Sequence, residues 1–289
     1  MRNPTNTMSN HATREEKVRE LLEQLEQGVQ SVFASENYAR FLRTMSKFRK
    51  YSFRNAVLIW MQKPDASLVA GYNDWQKKFH RQVRKGEKGI RIFAPVIYAK
   101  SKGGDDPDAE KEDEIVCCKV VSVFDVSQTD GKELPTLGVD ELTGTVEQYP
   151  AILDALERIS PVPMGFEPIT TGAHGYYSHT ERRIAINENM SELQTVKTAI
   201  HEIAHAKLHA LPEDGKRPKD GPDQRTREVQ AESVAYIVCQ HFGLDTSDYS
   251  FGYVAGWSSG KKTPELASSM DVIRKASQEL IDAIEKALA

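Results

Sequence analysis

Apolar residues recur at helical spacing through the first sixty positions of the chain. In TREEKVRELLEQLEQGVQ, residues 13–30, Val18, Leu21, Leu22 and Leu25 form one stripe, and Thr13 with Glu16 suits a capping box. Residues 36–50 predict a second helix, and Phe53 to Met61 a third with one apolar side. Ala70 and Gly71 precede a short helix carrying Tyr72, Trp75 and Phe79. The period then changes. A turn, RKGEKG at 84–89, feeds a strand from Ile90 to Ala99, and the β-branched stretch Ile115 to Phe124 can pair back with it. Between them, residues 101–114 are polar and acidic with no apolar periodicity, and read as an insertion at a hairpin tip. Scattered Gly, Pro, Asp and Thr mark residues 127–146 as a linker. Beyond it come a helix over 147–159 and strands within Phe166 to Ile186, the last at Arg183 to Ile186. Two long helices follow at 191–210 and 225–243, joined by LPEDGKRPKDGPD, and a final helix starts near Pro264. This order predicts an α+β fold in two domains, residues 11–126 and 147–289.

Composition narrows the class. With 289 residues, 39% hydrophobic and 28% charged, the chain has ordinary globular usage, which excludes disorder as its main theme. Its longest apolar runs fall far short of the about 20 residues a membrane span needs. The opening MRNPTNTMSN lacks the apolar core of a secretory signal, so a cytoplasmic protein without membrane contact is expected. Cys117, Cys118 and Cys239 form no CxxC pattern and read as packing residues rather than a disulfide or thiolate framework.

Charge divides the chain. Residues 1–100 hold 19 basic and 9 acidic side chains, net +10, against 19 and 33, net −14, for the remainder. The excess concentrates in Arg40 to Arg91, with 14 basic and 3 acidic residues interleaved with aromatics. Single-stranded nucleic acid needs that combination: cations for phosphates and flat faces for unstacked bases.

The sharpest chemical signal is His201-Glu202-Ile203-Ala204-His205, an HExxH pattern within a helical period. Histidines four apart lie one turn apart on one face and can share a Zn2+ ion, with the intervening Glu202 placed as general base. A catalytic zinc takes three protein ligands, and the next helix offers Glu228 and Glu232. Glu228 is the expected third ligand and Glu232 the carboxylate that accepts a hydrogen bond from a ligand imidazole, although the two could exchange roles. Another divalent metal is an alternative to zinc. His209 is one further turn on, but positions drift by about 40° per four residues around a helix, which sets it outside the ligand trio. His174, Tyr176, Tyr177 and His179 could line the cleft, and the edge of the strand ending at Asn187 could hold an extended peptide.

Two sets of residues converge on a family. The run KYSFRNAVLIWMQKPDASLVAGYNDWQKKFHRQVRKGEKGIRIFAPV resembles the N-terminal single-stranded-DNA-binding domain of ArdC-type antirestriction proteins, through Asn55 to Trp60, Trp75 to Arg81, Val83, Lys85 to Gly89, and Ile90 to Pro95. HEIAHAKLH, REVQAESVAYIVCQHFGL and FGYVAGWS are similar to the zincin-like metallopeptidase half of the same proteins. The resemblance implies an α+β single-strand binder fused to a zincin, carried by conjugative plasmids and other mobile elements, that protects incoming DNA from host restriction. DNA contacts are then expected from Arg54, Lys77, Lys78, Arg81, Arg84, Lys85, Lys88 and Arg91, with Tyr72, Trp75 and Trp60 considered for stacking and Trp60 better suited to the core. An alternative is a zinc metalloprotease that cleaves a repressor or restriction protein, with DNA binding only for localisation. A purely structural zinc is disfavoured, because such sites use four protein ligands and often cysteines.

Overall fold

The computed structural model describes residues 14–33, 35–48, 50–101, 111–134, 149–212, 215–246 and 251–289. Three helices open it: α1 (Arg14–Val32), α2 (Ser35–Lys47) and α3 (Phe53–Gln62). Their apolar stripes meet in one core, burying Leu21, Leu25, Phe41, Leu42, Phe53 and Ile59. Ser52 caps α3 by accepting the Asn55 N–H at 3.3 Å, satisfying one of the orphan donors of its first turn. Thr13, half of the capping box expected on α1, lies outside the described residues.

The chain then forms β1 (Val69–Gly71), α4 (Tyr72–Lys77), β2 (Arg81–Val83), β3 (Ile90–Ser101), β4 (Lys111–Asp125), a 3-10 turn at Val126–Gln128, and β5 (Thr129–Gly131). One sheet has the order β1-β4-β3, and β2 pairs with β5. Two differences from the sequence reading follow from long-range pairing. β3 and β4 extend to Ser101 and from Lys111, so the ends of the acidic insertion are strand, while residues 102–110 lie outside the described residues. β5 falls in the stretch read as linker, because Arg81 pairs with Gly131 and draws residues 129–131 back onto the first half. Residues 135–148 lie outside the described residues.

β3 is an edge strand, and α3 closes part of its free edge. The Asn55 side-chain amide donates to the Phe93 carbonyl and accepts its N–H, both at 2.9 Å. Gln62 makes the same two-way pair with Arg91, also at 2.9 Å. Two amides thus take the place of a neighbouring strand, which blunts edge-to-edge association.

The second half comprises α5 (Tyr149–Ile159), β6 (Met164–Glu167), β7 (Gly175–Ser178), β8 (Arg183–Asn187), α6 (Glu192–Leu208), α7 (Gln224–His241), α8 (Val254–Ser258) and α9 (Thr263–Leu288). Its sheet has the order β6-β8-β7, with β6 parallel and β7 antiparallel to β8. α9 packs on α5 and α7, and α7 in turn on α6. The fold is therefore α+β in two domains, with helices in contact across the boundary. Tyr38 of α2 is fully buried there, its hydroxyl 2.8 Å from Ser233 Oγ on α7. Cys239 is buried as a packing residue, but Cys118 is exposed on β4, and the Cys117 side chain is outside the described ones. Among the described residues, no helix is long and apolar enough to cross a membrane.

Candidate metal centre and nucleic-acid surface

α6 is held at its start by Ser191, whose hydroxyl accepts the Gln194 N–H at 3.2 Å, and α7 by Asp223, which accepts the Thr226 N–H at 2.6 Å. These caps fix where each helix begins, and the packing of α6 on α7 sets the side chains that face each other. The Nε2 atoms of His201 and His205 are 3.1 Å apart. Glu228 Oε2 lies 3.7 Å from the first and 3.5 Å from the second. Among the described residues, His201, His205 and Glu228 are the group of three whose ligand atoms converge in this way. A tetrahedral ion with bonds of about 2.0–2.1 Å requires ligand atoms about 3.4 Å apart, so the trio has the dimensions of a zinc site. Glu228 is held well below the usual carboxylate range by His201 and His205.

The surrounding bonds orient both imidazoles. Glu232 Oε2 sits 3.0 Å from His201 Nδ1, which turns His201 Nε2 toward the trio. His205 Nδ1 is 3.0 Å from His209 Nδ1, His209 Nε2 is 2.9 Å from Gln230 Oε1, and Gln230 donates to Ser269 Oγ at 3.0 Å. His209 is at the C-cap of α6, where the helix has ended, and is buried. Sequence spacing separates His209 from the trio, but it does not reveal Gln230 and Ser269, which sit on other helices.

Glu202 is 7% exposed and points into the cleft beside the trio. Burial raises its pKa, opposed by the two histidines. A hydrogen bond from the Tyr177 N–H also favours its charged form. Gly175 makes this contact geometry reachable: a Cβ there would stand 2.7 Å from Thr198 Cγ2 and 2.9 Å from the Ala185 carbonyl. Only glycine lets β7 lie this close to α6. The strand edge bordering the cleft is accordingly β7, and this corrects the sequence reading, since β8 is the central strand with both edges paired. His174 lines one lobe of the cleft, and Tyr176, Tyr177 and His179 the other. Tyr176 is partly engaged elsewhere, donating to Glu167 at 2.7 Å and accepting from Arg183 at 3.0 Å. Arg217, which no motif marked, and Arg227, the first residue of the REVQAESV run, line the same lobe. Tyr253 is also close enough for Glu232 and Glu228 to add to the effect of burial in raising its pKa.

The basic half sorts differently from the sequence expectation. Trp75 is fully buried, donates its indole N–H to the Phe124 carbonyl at 2.8 Å and packs on Phe79, so it has no free face for a base. It anchors a small core with Ala70 and Val83. Trp75→Ala is expected to cost about 3–5 kcal/mol, read as a lower denaturant midpoint. Arg81 is likewise structural, donating to Thr129 Oγ1 and to the carbonyls of Thr129, Gly131 and Lys132 at 2.6–3.3 Å. Arg91 is half-buried against Glu20 and Gln24. Arg84 is exposed but paired with Glu87 and Asp130, and Lys78 with Asp74. Arg54, Lys77, Lys85 and Lys88 are exposed, and Tyr72 is 50% exposed. Trp60 is in the core, edge-on to Phe41.

Comparison with known proteins agrees with this division. Residues 11–124 match the N-terminal domain of anti-restriction factor ArdC, and residues 162–239 the IrrE N-terminal-like domain. The uncharacterized protein pXO2-81 of Bacillus anthracis is 27% identical over an alignment of 314 positions that covers 95% of this chain and 52% of that protein. The chain thus spans about half the length of this relative. The metal-free crystal structure of antirestriction protein ArdC from the R388 plasmid aligns with a TM-score of 0.51 at 22% identity, covering 82% of this chain and 85% of that one. The Mn(II)-bound structure of the same protein aligns with a TM-score of 0.47 at 21% identity, covering 83% and 85%. The chain thus carries a domain matching the N-terminal domain of anti-restriction factor ArdC followed by an IrrE N-terminal-like domain, and its fold is similar to that of the R388 ArdC protein.

Proposed function

We propose that this chain is an antirestriction protein of a mobile genetic element that binds single-stranded DNA through its first half and hydrolyses peptide bonds at a divalent-metal centre in its second. The observation that carries the catalytic part is the triangle of His201 Nε2, His205 Nε2 and Glu228 Oε2, with sides of 3.1–3.7 Å beside the buried Glu202. Two imidazoles and a carboxylate suit zinc, and they also accept other divalent ions. A bound ion supplies Lewis-acid polarisation of the scissile carbonyl and a more acidic water. Glu202, buried beside the trio, would take a proton from an attacking water and pass it to the leaving amine. Glu232 and His209 hold the ligand rings in place, and the β7 edge aligns an extended peptide.

The DNA part rests on the exposed cations Arg54, Lys77, Lys78, Arg84, Lys85 and Lys88 together with Tyr72, the one exposed aromatic among the expected contacts. Such a surface tracks phosphates and stacks a base without reading sequence. The cytoplasm, where an incoming strand meets restriction enzymes, is the compartment this role requires.

Fluorescence anisotropy of a labelled single strand against its duplex tests this reading at two salt concentrations. The single strand is expected to bind more tightly and to lose about a hundredfold in affinity between 50 and 200 mM salt, for about five phosphate contacts. Equal, salt-independent binding of both forms would remove the DNA part. A metalloprotease acting on a repressor or restriction protein would then be the reading left by the metal triangle.

A further inference from the structure

The lobe of the cleft bordered by Tyr177 has a volume of about 350 Å³ and contains four charged side chains. Glu202 and Glu228 belong to the metal centre just described. That leaves Arg217 and Arg227 facing the same space, and no ion pair joins either to a carboxylate among the described residues. The contacts they do make are to neutral groups: Arg217 Nη2 lies 3.3 Å from His179 Nε2, and Arg227 donates to the Pro222 carbonyl at 2.9 Å.

His179 carries a second, independent sign of an unfilled partner. Its Nε2 accepts from Arg217, so in the neutral ring the proton sits on Nδ1. That nitrogen is buried and, among the described residues, has no hydrogen-bond acceptor. Two guanidinium groups with no carboxylate partner among the described residues border one lobe, beside an imidazole that Arg217 engages, and make an environment that an anion would complete. A carboxylate suits the planar fork of arginine, which can bind it bidentately.

We propose that Arg217, Arg227 and His179 form an anion subsite that selects a peptide with an acidic side chain next to the scissile bond. This rests on the reading of the cleft as a peptide-hydrolysing centre. A peptide carboxylate is favoured over a nucleic-acid phosphate because the wall of this lobe is the open edge of β7, whose main-chain groups match an extended polypeptide. Arg217 lies on the connection between α6 and α7, and Arg227 on the first turn of α7, one residue before Glu228. Arg227 is thereby fixed relative to the metal trio.

The test uses the full chain loaded with zinc and pairs of peptidyl hydroxamates that differ only in Asp against Asn, or Glu against Gln, beside the hydroxamate. Affinities are measured by calorimetry. The acidic partner of each pair is expected to bind about tenfold more tightly, and the difference should collapse in the Arg217→Gln/Arg227→Gln double variant. Equal affinity within the pairs, or a preference that survives the double variant, overturns the proposal. A second measurement needs no metal: side-chain NMR of the metal-free protein with the same peptides lacking the hydroxamate. His179 ring signals should shift with the acidic peptide and not with the neutral one, and unchanged signals again overturn the subsite. If hydroxamates fail to bind while His179 responds to the acidic peptide, the metal reading falls and the subsite stands. A single-stranded oligonucleotide that displaces the acidic peptide from these arginines would reassign the lobe to phosphate and reject the proposal.

Discussion

Replacing Glu202 by Gln is expected to lower metal-dependent peptide hydrolysis by about a thousandfold while leaving the bound metal in place. The carboxylate touches the cleft beside the trio, but it is absent from the triangle of His201, His205 and Glu228. Gln keeps the shape and can still accept the Tyr177 N–H, so the loss falls on proton transfer. Stability moves the other way. Burial raises the Glu202 pKa, which means that ionising it in the folded protein is opposed once the pH passes the ordinary carboxylate value. A neutral amide lacks that cost, so the metal-free variant should unfold at the same or a higher temperature at neutral pH. Metal content, hydrolysis of a mixed fluorogenic peptide pool and thermal unfolding check the three statements. Hydrolysis within tenfold of the parent would identify a different base. Protection of incoming DNA can be followed in the same variant: if it survives, it does not depend on hydrolysis, and the basic half carries it.

How far the sequence was legible depended on whether the information was local. HExxH and the Glu228/Glu232 pair are one-turn spacings, fixed by helix geometry, and the packing of α6 on α7 brings those faces together. The fold class followed from the change of period near residue 90 in the same way. The failures share a different cause. Trp75 belongs to an aromatic, basic stretch, yet the direction of its ring is set by the Phe124 carbonyl on β4, which lies 49 residues away. Arg81 counts as a cation in any sum, but its guanidinium closes on β5, in a stretch whose Gly, Pro and Asp content reads as linker. The choice of β7 rather than β8 as the open edge is a matter of sheet order, which no strand sequence encodes. Charge summed along a segment therefore located the basic surface without separating the side chains that hold it together from those that remain exposed.

Substituting His209 with Ala is expected to weaken metal binding by about 10- to 100-fold, although His209 is not one of the three converging residues. The bonds around it admit one consistent arrangement when His205 Nε2 faces the metal. His205 Nδ1–H then donates to His209 Nδ1, His209 Nε2–H donates to Gln230 Oε1, and the Gln230 amide donates to Ser269 Oγ. His209 must be neutral to accept the first of these bonds. Burial keeps it so, holding its pKa down to about 4. Alanine would leave the His205 N–H without its acceptor and free the ring to rotate. Chelator competition should show the loss, and His209→Asn, which can restore an acceptor, should recover part of it. An affinity within twofold of the parent would show that His205 is held by packing alone. The depressed pKa also predicts a stability slope. As pH falls below about 6.5, the unfolded chain takes up a proton at His209 that the folded chain refuses until about 4, so this residue's contribution decreases across that window. Denaturant midpoints of the metal-free parent and His209→Ala, measured from pH 7 to pH 4, should therefore converge as the pH falls, because only the parent carries this proton-linked loss.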